Sequence, residues 1–88
     1  MSGFEQHRAA AVHCAHLFRL GRDVEAALVM VEVFGAVMPL FEGASVPLQQ
    51  QWQAVLGQIL VCQEGQDWLG LADYLEYELV ELMRQVAL

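Results

Sequence analysis

The sequence predicts an all-α fold: two antiparallel helical hairpins forming one compact four-helix domain over residues 1–88. Three observations predict it. Apolar residues recur at three- and four-residue steps, which favours helix over strand. Three turn-like clusters, Gly21-Arg22-Asp23, Glu42-Gly43-Ala44-Ser45 and Glu64-Gly65-Gln66-Asp67, cut the chain into four segments. A hydrophobic content of 57% with 17% charged residues excludes a disordered chain.

The four helices are expected near 5–20, 24–40, 46–64 and 68–86. The first carries an apolar stripe of Cys14, Leu17 and Phe18 and ends at Gly21, a residue suited to the left-handed position that closes a helix. Asp23 stands two residues later, placed to cap the second helix. That helix shows Val24, Leu28, Val31 and Met38 as one stripe, with Val29, Val33, Ala36 and Val37 over the rest of its surface. A helix apolar nearly all round is central in a bundle or half of an interface. Ser45 before Val46-Pro47 reads as a cap with proline in the first turn of the third helix. Leu48, Trp52, Val55, Leu56, Ile59 and Leu60 form the core stripe of that helix, opposite a neutral face of Gln49, Gln50, Gln53 and Gln63. Gly65, expected at positive φ, and Asp67 repeat the glycine-then-aspartate turn. The fourth helix buries Trp68, Leu71, Ala72, Leu75, Leu79, Leu82 and Val86, and turns Asp73, Glu76 and Glu81 away from that stripe.

Aligning Gly21-Arg22-Asp23 on Gly65-Gln66-Asp67, an offset of 44, pairs Leu17 with Val61, Val24 with Trp68, Ala26 with Gly70 and Val31 with Leu75. Two similar hairpins follow, with small residues at Ala26 and Gly70 allowing close helix approach. The run Cys14-x-x-Leu17-x-x-x-Gly21-x-x-x-Glu25-Ala26 resembles the helix, turn, helix core of a tetratricopeptide unit, with Pro39 one position beyond that family's closing proline. Small acidic proteins of this architecture resemble the cytosolic chaperones and co-chaperones of bacterial flagellar and type III export. That resemblance implies groove-to-helix contacts with an aggregation-prone partner. The run from Asp67 to Leu79 is also similar to the end of small bacterial helical proteins of unassigned function.

Charge narrows the partners. Eleven acids face four arginines and no lysine, a net charge of −7, which repels phosphate backbones and anionic lipid, so nucleic-acid and membrane-surface roles are not expected. Up to Arg22 three arginines oppose one acid, whereas from Asp23 onward ten acids oppose Arg84 alone. The most apolar window, 24–41, carries Glu25, Glu32 and Pro39 and is not expected to span a bilayer. The start Met-Ser-Gly-Phe-Glu-Gln lacks the pattern of a secretion signal, and Cys14 and Cys62 form no Cys-x-x-Cys pair; a cytoplasmic protein with reduced thiols is expected.

Candidate chemistry is sparse. His13 and His16, three apart with Cys14 between them, are the nearest approach to a metal site, but two ligands on one helix are not a site and no metal or other cofactor is assigned. No Glu-x-x-His pair, phosphate loop or nucleophile elbow is present, so no enzyme is expected. The interaction signal lies in aromatic and aliphatic residues off the core stripes. Leu69, Tyr77 and Val80, with Tyr74 beside them, form a second apolar surface on the last helix, and Val29 and Val33 join them as partner-binding candidates on the second. The expected function is a non-enzymatic helical interaction module, homodimeric, that binds an amphipathic helix of a protein partner in an apolar groove with an acidic rim. A purely structural self-associating subunit and a small metal or ligand sensor using His13, Cys14 and His16 are the alternatives.

Overall fold

A computed structural model describes residues 3–87. Four helices follow one another: α1 (Gly3–Arg19), α2 (Asp23–Glu42), α3 (Val46–Glu64) and α4. The last runs as α-helix over Trp68–Asp73, as π-helix over Tyr74–Leu79 and as α-helix again over Val80–Ala87. The all-α class is as expected, and there is no strand among the described residues.

The small side chains of α1 decide the packing. Ala11, Cys14 and Ala15 are fully buried, and through them α1 packs along α2 on one side and along the whole of α4 on the other. The Cys14 thiol donates to the Ala26 carbonyl at 3.3 Å, which shows how near the two backbones lie. α3 packs on α4, so the two hairpins meet through α1 and α4, while α2 and α3 lie outside and touch each other sparingly. The place in the middle of the bundle, open to the apolar second helix on sequence grounds, belongs to α1.

Both hairpin turns close with the same pair of hydrogen bonds. After α1, Arg22 N–H donates to the Leu17 carbonyl (3.0 Å) and Gly21 N–H to that of Phe18 (3.1 Å), with Gly21 left-handed at φ 76°. After α3, Asp67 N–H donates to the Cys62 carbonyl (2.8 Å) and Gln66 N–H to that of Gln63 (3.2 Å). The left-handed residue there is Gln66, at φ 56°, and Gly65 stays right-handed at φ −83°. This corrects the expectation of a positive φ at Gly65. It also moves the repeat by one: Gly21 is equivalent to Gln66, and Arg22 to Asp67. In the corrected register Ala26 matches Leu71, Met30 matches Leu75 and Val37 matches Leu82, and all six are buried.

The same shift settles the caps. The Asp67 carboxylate accepts from Gly70 N–H at 3.0 Å, and a Cβ on Gly70 would run into that carboxylate, so glycine is what fits there. Ser45 accepts from Leu48 N–H at 3.5 Å. Asp23 is not a cap, because Arg22 occupies that position and makes no side-chain cap bond. α2 runs two residues past its expected end, through Pro39. That proline and Gly35, whose carbonyl it deprives of an N–H donor, both face outward, where water can satisfy the carbonyl. Gln49 then closes the elbow by donating to the carbonyls of Glu42 (3.0 Å) and Ala44 (3.1 Å). Across the elbow Trp52 stacks on Phe41 at 4.8 Å and meets Phe34 edge-on at 5.8 Å.

The π segment has a packing reason. Residues four apart on an α-helix drift by about 40° per step. A wider π turn takes that drift back, and Leu71, Leu75, Leu79 and Met83, each four from the next, all lie in the core. Trp68 is half-buried, stacked on Phe18 at 5.5 Å.

Asp67→Ala is expected to lower the unfolding free energy by about 1 kcal/mol, whereas Asp23→Ala leaves it within about 0.5 kcal/mol. Gln66→Gly is expected to raise it by about 0.5–1 kcal/mol by relieving the left-handed backbone. Urea titrations of the three variants check the cap and the register together.

Candidate interaction surface

Burial on α2 is the reverse of the expected stripe. Ala26, Met30, Val33, Val37 and Phe41 face the core, whereas Val24, Leu28 and Val31 are 75%, 66% and 69% exposed and Met38 45%. The physical reason is steric: the inner line must lie against α1 where its backbone comes closest, and Ala26 is the residue that admits it. Val33, expected at a partner surface, is therefore core at 3% exposure, and Val29 is half-buried against it. Val80 is likewise half-buried on α4. Leu69 and Tyr77 do reach solvent, at 64% and 60%. Tyr77, Tyr74, Asp73 and Glu78 line one shallow depression, but Leu69 does not contribute to it.

The outer stripe of α2 is continuous. Val24, Leu28, Val31, Gly35 and Met38 are spaced four, three, four and three, the 3.5-residue period of a helix-pairing seam. Gly35 contributes no side chain to it, and a Cβ there would stand in open space, with nothing within 4 Å. At its C-terminal end Met38 borders a cleft of about 290 Å³ at the α2–α3 elbow, shared with Phe41, Glu42, Gln49, Trp52 and Gln53. Glu25 and Glu32 lie exposed along one edge of the stripe. The whole chain exposes 5223 Å², close to the roughly 5200 Å² of a well-folded monomer of 9.8 kDa, so the exposed valines and leucine belong to an intact fold. By length and composition α2 would also suffice to cross a membrane. In this structure its inner line is part of the protein core.

A second cluster joins α1 to α4. Arg19 reaches Glu76 at 2.5 Å and Asp73 at 3.0 Å, and His16 Nε2 lies 3.9 Å from Glu76. The acidic side of α4 is thus part of the fold and not simply solvated. The Arg19 guanidinium holds the Glu76 carboxyl below its ordinary range, and the carboxylate raises Arg19 in return. The other arginines pair with helix neighbours: Arg8 with Glu5, Arg22 with Glu25 and Arg84 with Glu81. All four arginines are thereby engaged, while Glu32 and Glu42, like Glu64 and Glu78, have no cationic partner among the described residues.

The cysteines are packing groups. Burial pushes the Cys14 thiol up to about 12, and the Cys62 thiol is raised as well; both are free and buried. Cys14 points at α2 while His13 and His16 are exposed, so these three do not converge. Among the described residues no three His, Cys, Asp or Glu side chains are grouped to hold a metal ion.

No protein family, curated protein or solved structure matches this chain.

Acid should weaken the α1–α4 link. Because the folded Glu76 carboxyl lies below its unfolded value, its contribution is complete above that unfolded value and is lost as pH falls through the folded one. Wild type is expected to lose more stability on acidification than Glu76→Gln, by about 0.5–1 kcal/mol for this partly exposed pair, in urea titrations from neutral pH to pH about 3. A thiol reagent at pH about 8 is expected to leave Cys14 unmodified until the chain unfolds, read by mass spectrometry of the peptide that carries it.

Proposed function

We propose that this protein is a non-enzymatic helical interaction module, and that its working surface is the outer face of α2. One observation carries the reading: on a chain whose accessible area is that of a tightly folded monomer, a long helix turns three large aliphatic side chains in register, and Met38 after them, to solvent. Contiguous apolar patches on monomers characteristically mark contact sites. The fold supports the assignment by holding that helix from behind through Ala26, Met30, Val33 and Val37, so the outer line is presented on a rigid backbone. The resemblance of the run from Cys14 to Ala26 to a tetratricopeptide unit, and of a small acidic helical protein to export chaperones, supports the same reading, groove-to-helix binding in the cytoplasm. The free, buried state of both cysteines fits a reducing compartment.

The surface proposed here differs from the one expected on the last helix. Leu69 and Tyr77 are exposed singly, whereas α2 offers Val24, Leu28 and Val31 on successive turns, with Met38 beyond Gly35. Leu28→Glu and Val31→Glu are expected to leave the melting temperature within a few degrees, because both positions face outward, yet to abolish association. Val33→Glu is expected to unfold the domain, since it would bury an unpaired charge. Circular dichroism with sedimentation velocity separates the three, and the reading fails if Leu28→Glu and Val31→Glu leave every association of the protein unchanged.

A further inference from the structure

Resting on that reading, we infer the chemistry of the partner: an amphipathic helix whose apolar seam repeats every 3.5 residues and is flanked by lysine or arginine, docked along Val24, Leu28, Val31 and Met38. Spacing sets the first part. A 3.5-residue seam stays in contact with another helix over several turns, whereas an irregular patch would not. At Gly35 the seam carries no side chain of its own, so a partner residue can come close to the α2 backbone there, and the elbow cleft beside Phe41 and Trp52 has room for another.

Charge sets the second part. Glu25 and Glu32 border the seam one turn pair apart, Glu42 rims the cleft, and all four arginines are already held by the chain's own acids. Cations for Glu32 and Glu42 must therefore come from outside. A second copy is the poorer occupant, because antiparallel pairing of two α2 seams would bring Glu25 and Glu32 of one chain toward those of the other, and like charges across an interface oppose association. Area agrees. The seam offers a few hundred Å² of apolar surface, short of the roughly 800 Å² per partner of a standard globular interface but suited to one helix.

The test uses three fluorescent synthetic helices of four heptads with leucine at the seam and lysine, glutamine or glutamate at the flanking positions, titrated with the full chain and read by anisotropy. The lysine-flanked helix is expected to bind at least about tenfold tighter than the glutamine one and the glutamate one weakest, with the preference collapsing in Glu25→Gln/Glu32→Gln and shrinking at high salt. Gly35→Gln, which puts a side chain on the outward face where a Cβ meets nothing within 4 Å, is expected to weaken binding about tenfold while circular dichroism and the melting temperature show the fold kept. Leu28→Glu adds negative charge, so mere attraction of a basic peptide predicts tighter binding, and docking predicts its loss.

Equal affinity for the three peptides, lost on Leu28→Glu, would overturn the partner chemistry and leave the α2 face standing as the interaction surface. Binding that neither Leu28→Glu nor Gly35→Gln weakens would overturn both. A dimer at tens of micromolar that Leu28→Glu dissolves would make a second copy the occupant, and Leu28-dependent binding to neutral phosphatidylcholine vesicles would make it lipid; either overturns the inference while retaining the face.

Discussion

The approach of α1 to two helices at once is the constraint from which the rest of this fold follows. Ala11, Cys14 and Ala15 have too little bulk to hold neighbours apart, so α1 lies close to α2 and α4 together, near enough for a thiol to reach a backbone carbonyl of α2. Larger side chains then fill the space beyond the contact: Leu17 and Phe18 from α1, Met30 and Val37 from α2, and Leu71, Leu75 and Leu79 from α4. Interiors at crystal-like density allow little adjustment once that line is drawn. The rotation of α2 about its own axis is set by it, and so is the identity of what α2 leaves outside.

That consequence matters because the chain is short and unusually apolar. A domain of this size buries roughly 64% of the surface its unfolded chain exposes, and its hydrophobic content of 57% exceeds what the interior accepts. The surplus is shared among the helices, with Leu20, Val46, Leu60, Val61, Leu69 and Tyr77 exposed elsewhere, but on α2 it forms a row, because α2 has an outward side unclaimed by any other helix. α3, equally peripheral, mixes glutamines with exposed Val46, Leu60 and Val61 on its outer side, so Leu60 is not in the core stripe expected for it, and Gln49 serves the fold by closing the end of α2. The two outer helices therefore differ in chemistry though they occupy similar places.

Electrostatics divides along the same line. Between α1 and α4, Arg19 bridges Asp73 and Glu76 across a contact that also contains the Phe18–Trp68 stack, while Glu78 of α4 stays exposed without an ion pair. The outer α2 has acids without intramolecular cations beyond the Arg22–Glu25 pair. Net charge alone, −7, says only that the protein avoids polyanions. Its distribution adds that two carboxylates without a cationic partner, Glu32 and Glu42, lie beside the exposed apolar row and at the cleft that ends it, while others such as Glu64 and Glu78 lie elsewhere on the surface.

The helical class, the three turns, the caps at Ser45 and Asp67 and the core line Leu71, Leu75, Leu79 and Leu82 were all legible in the sequence, because each rests on short-range chemistry: a side chain bonding a backbone N–H three residues on, or a stripe apolar on one side only. Three things were decided by tertiary structure. The inward side of α2 was one, since a helix apolar all round has no periodicity to indicate a face, and only packing against α1, closest where Cys14 meets Ala26, selects Ala26, Met30 and Val33. Val33 was for that reason misread as surface, whereas Leu69 and Tyr77, off a clearly one-sided stripe, were correctly read as exposed. The left-handed residue after α3 was another: glycine was the local favourite, but helix length and the pairing of the hairpin put that conformation on Gln66. The π turn was the third, because nothing in Tyr74-Leu75-Glu76-Tyr77-Glu78-Leu79 departs from an α pattern until Leu71 and Met83 must face the same core. The candidate interaction surface inherits this division: its apolar residues could be read from the chain, but their exposure is the remainder left when α1 has chosen its side of α2.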